Sequence, residues 1–138
     1  MSAAILLDPC AAIWISTGQA LHQDALNRLA VARKAGQPIY VSPMTAWEIG
    51  RLVASGRIAL TQTPLSWFST LLALPGLALA PQPPDVLVES SFLPDDPPRD
   101  PVDRIMIATA RFHGFSLMTR DRHILAFGQM GHVLTITC

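Results

Sequence analysis

RDPVDRIMIATA, residues Arg99 to Ala110, is the stretch on which the reading of the whole chain turns. It spells the opening turns of a helix. Asp100 is the expected N-cap and Pro101 suits the first helical position. Asp103 stands at the third, where its charge meets the positive end of the helix dipole. Ile105, Met106, Ile107, Ala108 and Ala110 follow. A helix this apolar is buried on several sides. A buried helix that opens with two acids poses a choice between capping and holding a cation. Capping stabilises by ~1 kcal/mol and is the common use of Asp at such a place.

Outward from this helix, short apolar runs alternate with helical spacing. Ala4 to Leu7 stops sharply at Asp8, the pattern of a buried parallel strand with an acid at its carboxyl end. Ala11 to Leu29 has helical spacing, broken near Gly18, and its second half continues to Ala35 before Gly36 ends it. Pro38 to Ser42 is a second strand. Thr45 to Ala54 is a helix carrying Glu48 in its first turns, and Arg57 to Leu60 reads as a brief extended segment. Pro64 opens another helix, which Pro75–Gly76 terminates. Leu77 to Ala80 is a third strand, and Asp85 to Phe92 a short helix after a proline-rich connector. Leu93 to Arg99, with three prolines and two acids, is an extended loop into the central helix. His113–Gly114 closes that helix. Phe115 to Thr119 is a strand, Arg122 to Phe127 a short helix, and His132 to Ile136 the last strand. Intervening helices then cover both faces of one mostly parallel sheet.

The 138 residues point to a single domain with a real core, spanning 1–138. Half the residues are apolar and 14% are charged, a balance that suggests apolar surface reserved for a partner. Formal net charge is zero, so no global field draws the chain to nucleic acid. Nine of the ten basic residues are arginine, suited to bidentate phosphate contacts and equally to ion pairs. Cys10 and Cys138 make no disulfide framework. No basic segment precedes the first apolar run, and no run approaches the ~18–20 residues of a membrane span. A soluble protein of the reduced cytoplasm, away from the membrane, is expected.

Four acids fall at matching places. In an open parallel sheet, ligands bind outside the carboxyl ends of the strands. Asp8 follows the first strand, and Asp121 follows the FSLMT strand. Glu48 lies on the helix fed by the second strand, and Asp103 opens the helix that feeds FSLMT. Each has an ordinary reading as well. Asp8 suits a turn or cap, Asp100 and Asp121 suit caps, and Glu48 suits a solvated helix face. Together they suit a hard dication, Mg²⁺ or Mn²⁺, which removes the repulsion among clustered carboxylates. Such an ion orients a water, lowers its pKa and stabilises a phosphodiester under attack. Zinc is a poorer match, because the four histidines are scattered.

The stretches ILLDPCAAIWI (5–15), VSPMTAWEIGRLVASGRIAL (41–60) and RDPVDRIMIATARFHGFSLMTRD (99–121), with the tail VLTI, resemble the PIN-domain ribonucleases. Within them they resemble the VapC-type toxins of VapBC toxin–antitoxin pairs. The resemblance implies a three-layer α/β/α sandwich and an acidic Mg²⁺ or Mn²⁺ site that cuts RNA. Matched residue by residue, it places the family's acids on Asp8, Glu48, Asp103 and Asp121. Asp100 falls in the supporting shell, with Thr119 and Ser42 as hydroxyls able to orient the acids. Arg104, Arg120 and Arg122 are candidates for RNA phosphates, Arg104 and Arg122 equally for ion pairs with the acids. The chain departs from the family pattern after the first acid. Pro9 and Cys10 stand where a hydroxyl residue and a histidine are common, and proline offers neither hydroxyl nor backbone N–H.

The resemblance further implies a VapB-like antitoxin partner and a homodimer. Trp14, Ile15, Trp47, Leu52, Val53, Trp67, Phe68 and Leu71 are candidates for the antitoxin surface, or for core. Other classes fit less well. A haloacid-dehalogenase-like phosphatase needs a second Asp where Cys10 stands. A phospho-receiver domain needs a late lysine, and Lys34 is the only one. A non-catalytic binding module with a degraded site is the principal alternative, motivated by Pro9 and Cys10.

Overall fold

The computed structural model describes residues 3–138. Five strands form one sheet in the order β3-β2-β1-β4-β5, every neighbouring pair parallel. They are β1 (Ile5–Leu7), β2 (Ile39–Val41), β3 (Leu77–Leu79), β4 (Ser116–Thr119) and β5 (Leu134–Thr137). Helices α1 (Pro9–Ser16) and α2 (Gln23–Lys34) link β1 to β2. α3 (Met44–Ala54) and α4 (Pro64–Leu72) link β2 to β3. α5 (Pro84–Glu89) and α6 (Pro101–His113) lead to β4, and α7 (Arg122–Gln129) to β5.

Alternation along the strands divides the core into two layers. Ile5 and Leu7 of β1 and Met118 of β4 face α1 to α4, packing with Ala12, Ile49, Phe68 and Leu71. Leu6 and Leu117 face the other way, packing with Met106, Ile107, Ala110, Ile124 and Phe127 of α6 and α7. The chain is thus a three-layer α/β/α sandwich. β1 is central and buried on both faces, which is why its sequence is a continuous apolar run.

α6 has the expected limits. The Asp100 side chain accepts from the Val102 and Asp103 N–H groups, and Gly114 ends the helix at φ 73°. Only glycine adopts that left-handed conformation without a Cβ penalty. Arg57 to Leu60 is not a strand. Ile58 and Leu60 pack onto the α1–α4 side of the core instead, and Leu77–Leu79 occupies the sheet edge beside β2. Of the apolar residues expected at a partner surface or in the core, Trp67, Phe68 and Leu71 are core, while Trp47 is 53% exposed. Trp14, Ile15, Leu52 and Val53 are half-buried. No helix among the described residues is long and apolar enough to cross a membrane.

Candidate active site

The sheet order reverses direction at β1. The chain builds β2 and β3 on one side of it, then returns to lay β4 and β5 on the other. A crevice forms at such a switch point, beyond the carboxyl ends of the strands. Here it is a cavity of about 350 Å³ lined by Asp8, Glu48, Asp100, Asp103 and Asp121, together with Arg51 and Arg120. Acids up to 113 positions apart in the chain therefore share one pocket.

Three of the aspartates occupy N-cap positions, and their carboxylates behave differently. Asp100 caps α6, and Asp121 caps α7 by accepting from the Ile124 N–H at 2.9 Å. Asp8 precedes α1, whose first residue is Pro9, but its side chain caps nothing. It is buried, and accepts instead from Thr119 Oγ1 at 2.9 Å. The same hydroxyl accepts from the Asp121 N–H at 3.0 Å. Thr119 therefore couples the first acid to the last. The support that Pro9 withholds from Asp8 comes from across the sheet. The pairing of Leu7 with Met118 dictates this, since the next residues along are Asp8 and Thr119.

Burial is the main force that pushes the Asp8 carboxyl up to about 6, and the charges of Asp121, Glu48 and Asp100 add to it against the Thr119 hydrogen bond. Asp103 rises to about 7, again chiefly by burial and then by Asp100, Asp121, Asp8 and Glu48. Its carboxylate takes part in no hydrogen bond or ion pair among the described residues. Glu48 is paired with Arg51, Nη2 to Oε1 at 2.7 Å. Cys10 is exposed and lines the pocket. Desolvation, with Asp8, Glu48 and Asp103, pushes its thiol up to about 11, so it is no thiolate nucleophile at neutral pH.

The donor set suits a hard cation: carboxylate oxygens, several partly buried, held together against their own repulsion. Among the described residues, however, no three acidic, histidine or cysteine side chains are gathered into a ready ligand group. The pocket collects the charge without fixing a coordination shell.

The family model of the PIN domain matches residues 5–129. The chain belongs to the PIN-domain family. It is similar to ribonuclease VapC22 of Mycobacterium tuberculosis, 31% identical over 123 residues, covering 87% of this chain and 88% of that protein. VapBC2 from Rickettsia felis, solved with a DNA fragment from its promoter, superimposes with a TM-score of 0.66 at 12% identity. That match covers 97% of this chain and 98% of the other. FitAB bound to the IR36 DNA fragment gives 0.51 at 14% identity, covering 96% and 94%. At such identities these two likenesses are likenesses of fold.

In this PIN domain, three residues expected near the acids lie elsewhere. Ser42 Oγ accepts from the Met44 N–H at 2.9 Å and so starts α3, touching no acid. Arg104 donates to the carbonyls of Ser90, Pro98 and Ser91 and, among the described residues, pairs with no carboxylate. Arg122 is exposed and outside the pocket lining. Arg120 does line it. Its guanidinium lies 4.1 Å from the centre of the Trp14 ring and donates to the Cys138 and Ala20 carbonyls. The PIN pocket also contains Cys10, Trp14 and Arg51, which the sequence reading left out of the site. Helical spacing was the available signal. Cys10 and Trp14 are four apart on α1, and Arg51 is three beyond Glu48 on α3.

Proposed function

We propose that this PIN domain is an Mg²⁺- or Mn²⁺-dependent endoribonuclease of the VapC type, the toxin of a toxin–antitoxin pair. The observation that carries this reading is the convergence of Asp8, Glu48, Asp103 and Asp121, from four separate segments, on one pocket at the switch point of the sheet. Identity to a ribonuclease over most of both chains supports the choice of RNA. Asp8, Asp103 and Asp121 would hold the ion, with Glu48 completing the set or taking the proton of the attacking water. A bound dication supplies positive charge for the phosphate and acidifies the water. Asp100 holds the first turn of α6 and so places Asp103. Thr119 holds Asp8, and Arg120 lines the pocket wall with Nε and Nη2 bound to carbonyls, leaving Nη1 for an RNA phosphate.

The same reading includes a VapB-like antitoxin, a homodimer and a cytoplasmic setting. The solved neighbours are toxin–antitoxin assemblies by title, VapBC2 and FitAB, and half-buried Trp14 and exposed Trp47 offer apolar surface to a partner.

The test is RNA cleavage with added Mn²⁺ by the parent protein and by Asp8→Asn. A loss of at least ~100-fold is expected for the variant, with an unchanged circular dichroism spectrum. Equal cleavage by both would overturn the assignment. Mn²⁺ binding without cleavage by the parent would instead favour the non-catalytic binding module that Pro9 and Cys10 suggest.

A further inference from the structure

Among the described residues, Arg51 is the only guanidinium of the pocket lining that is paired with a carboxylate. Its Nη2 lies 2.7 Å from Glu48 Oε1, and its guanidinium sits over the Trp47 ring at 5.5 Å. The pair spans a boundary. The Glu48 side chain is 17% exposed, whereas that of Arg51 is 48% exposed. Arg120, the other guanidinium of the lining, is committed to two backbone carbonyls and the Trp14 ring. The pocket thus already contains one cation on one of its acids.

We propose that Arg51 is a positioning residue that holds Glu48 in the cation-free pocket, yields it when a dication enters, and then meets an RNA phosphate. The inference rests on the metal-dependent ribonuclease reading. A half-exposed, single-point pair on one face of a helix is weak, since solvent screens it. A dication among several carboxylates attracts Glu48 more strongly than one screened guanidinium does. Once free, the guanidinium remains on α3 at the mouth of the pocket, with the geometry to grip a phosphate through two N–H groups. Arg51 therefore weakens cation binding in the absence of RNA and strengthens RNA binding in the loaded protein.

The experiment measures Mn²⁺ affinity without RNA, by electron paramagnetic resonance of free Mn²⁺, for the parent, Arg51→Ala and Arg51→Lys. Arg33→Ala is the control. Arg33 is exposed in the last turn of α2, which feeds the opposite end of the sheet. Arg51→Ala is expected to bind Mn²⁺ about threefold more tightly while its KM for RNA rises several-fold, with Arg33→Ala unchanged in Mn²⁺ affinity. Arg51→Lys keeps the charge and stays near the parent for Mn²⁺, but loses part of the RNA affinity with the fork. If the parent binds Mn²⁺ and Arg51→Ala binds it equally or less tightly, the proposal is overturned. An equal gain in Arg33→Ala also overturns it, because only net charge would then matter. A parent that neither binds Mn²⁺ nor cleaves RNA overturns the metal-nuclease reading itself.

Discussion

Asp8 shows how one residue is kept from an ordinary duty for an unusual one. Asp100 and Asp121 satisfy helix N–H groups, while Asp8, at the equivalent place before α1, faces a pocket of like charge. Folding therefore opposes its ionisation. Unfolded, the carboxyl ionises near its ordinary 3.8, and folded, near 6. Unfolding in that window releases a proton, so this group's penalty is absent below about pH 4 and grows to its full size by about pH 6. For so buried a group the full size is at most ~3 kcal/mol. Asp8→Asn keeps an acceptor for Thr119 and removes the charge. Without metal, the variant should melt roughly 5 °C or more above the parent at pH 7.5 and close to it at pH 4. Calorimetry at the two pH values decides, and a lower melting temperature at pH 7.5 would sink the account. The acids themselves were legible in the sequence because Asp8 and Asp121 follow strands, Asp103 opens a helix and Glu48 lies on the helix that the second strand feeds. Their hydroxyl partners were legible only in part. Thr119 ends β4 and Ser42 directly follows β2, the two strands that flank β1, yet Thr119 turns to Asp8 and Ser42 turns to its own helix. Strand position names the neighbour; it does not settle the rotamer.

At the scale of elements, α6 was readable almost to the residue, because Asp100, Pro101 and Gly114 each specify one local geometry. The segment before it was not. Residues 90–99 lack a repeating pattern, and what holds them is long-range. Arg104 Nε reaches the Ser90 carbonyl at 2.9 Å, while its two terminal nitrogens reach Pro98 at 3.2 Å and Ser91 at 3.3 Å. His132 Nε2 meets Asp95 Oδ2 at 2.5 Å, and Asp95 has a left-handed φ of 54°, which Asp tolerates better than most residues. Sequence showed Arg104 as a charge beside an acid. The structure makes it a clamp on the strap that delivers Asp100 and Asp103 to the pocket. Arg104→Ala should lower unfolding free energy by about 2 kcal/mol, since three carbonyls lose a charged donor. Arg104→Lys should restore less than half, because one ammonium lacks the planar fork that reaches three carbonyls. Urea unfolding measures both, and full rescue by lysine would show that charge alone matters.

At the scale of the molecule, alternation of strands and helices in sequence implied a parallel sheet but not its order. Order depends on which edge each returning strand finds, and that is decided by packing between residues far apart, such as Leu6 with Met106 and Phe127. The order β3-β2-β1-β4-β5 has the larger consequence, for it places the switch point, and with it four unlike segments, at the end of a fully buried strand. The fold thus stores electrostatic repulsion where it has the least water to screen it. A dication that binds the folded pocket and not the unfolded chain should release that repulsion as stability, by about 2.7 kcal/mol at a free concentration of 100 times Kd. Binding requires ionised carboxylates. Asp8 and Asp103, raised to about 6 and about 7, compete with protons for the ion below those values. The Mn²⁺-induced rise in melting temperature should therefore be small at pH 5.5 and near its maximum at pH 8. It should be absent at both in the Asp8→Asn/Asp103→Asn double variant, because that variant lacks two of the charges the ion would neutralise. Thermal melts with and without Mn²⁺ test this directly. Equal stabilisation of the double variant would place the ion somewhere other than this pocket.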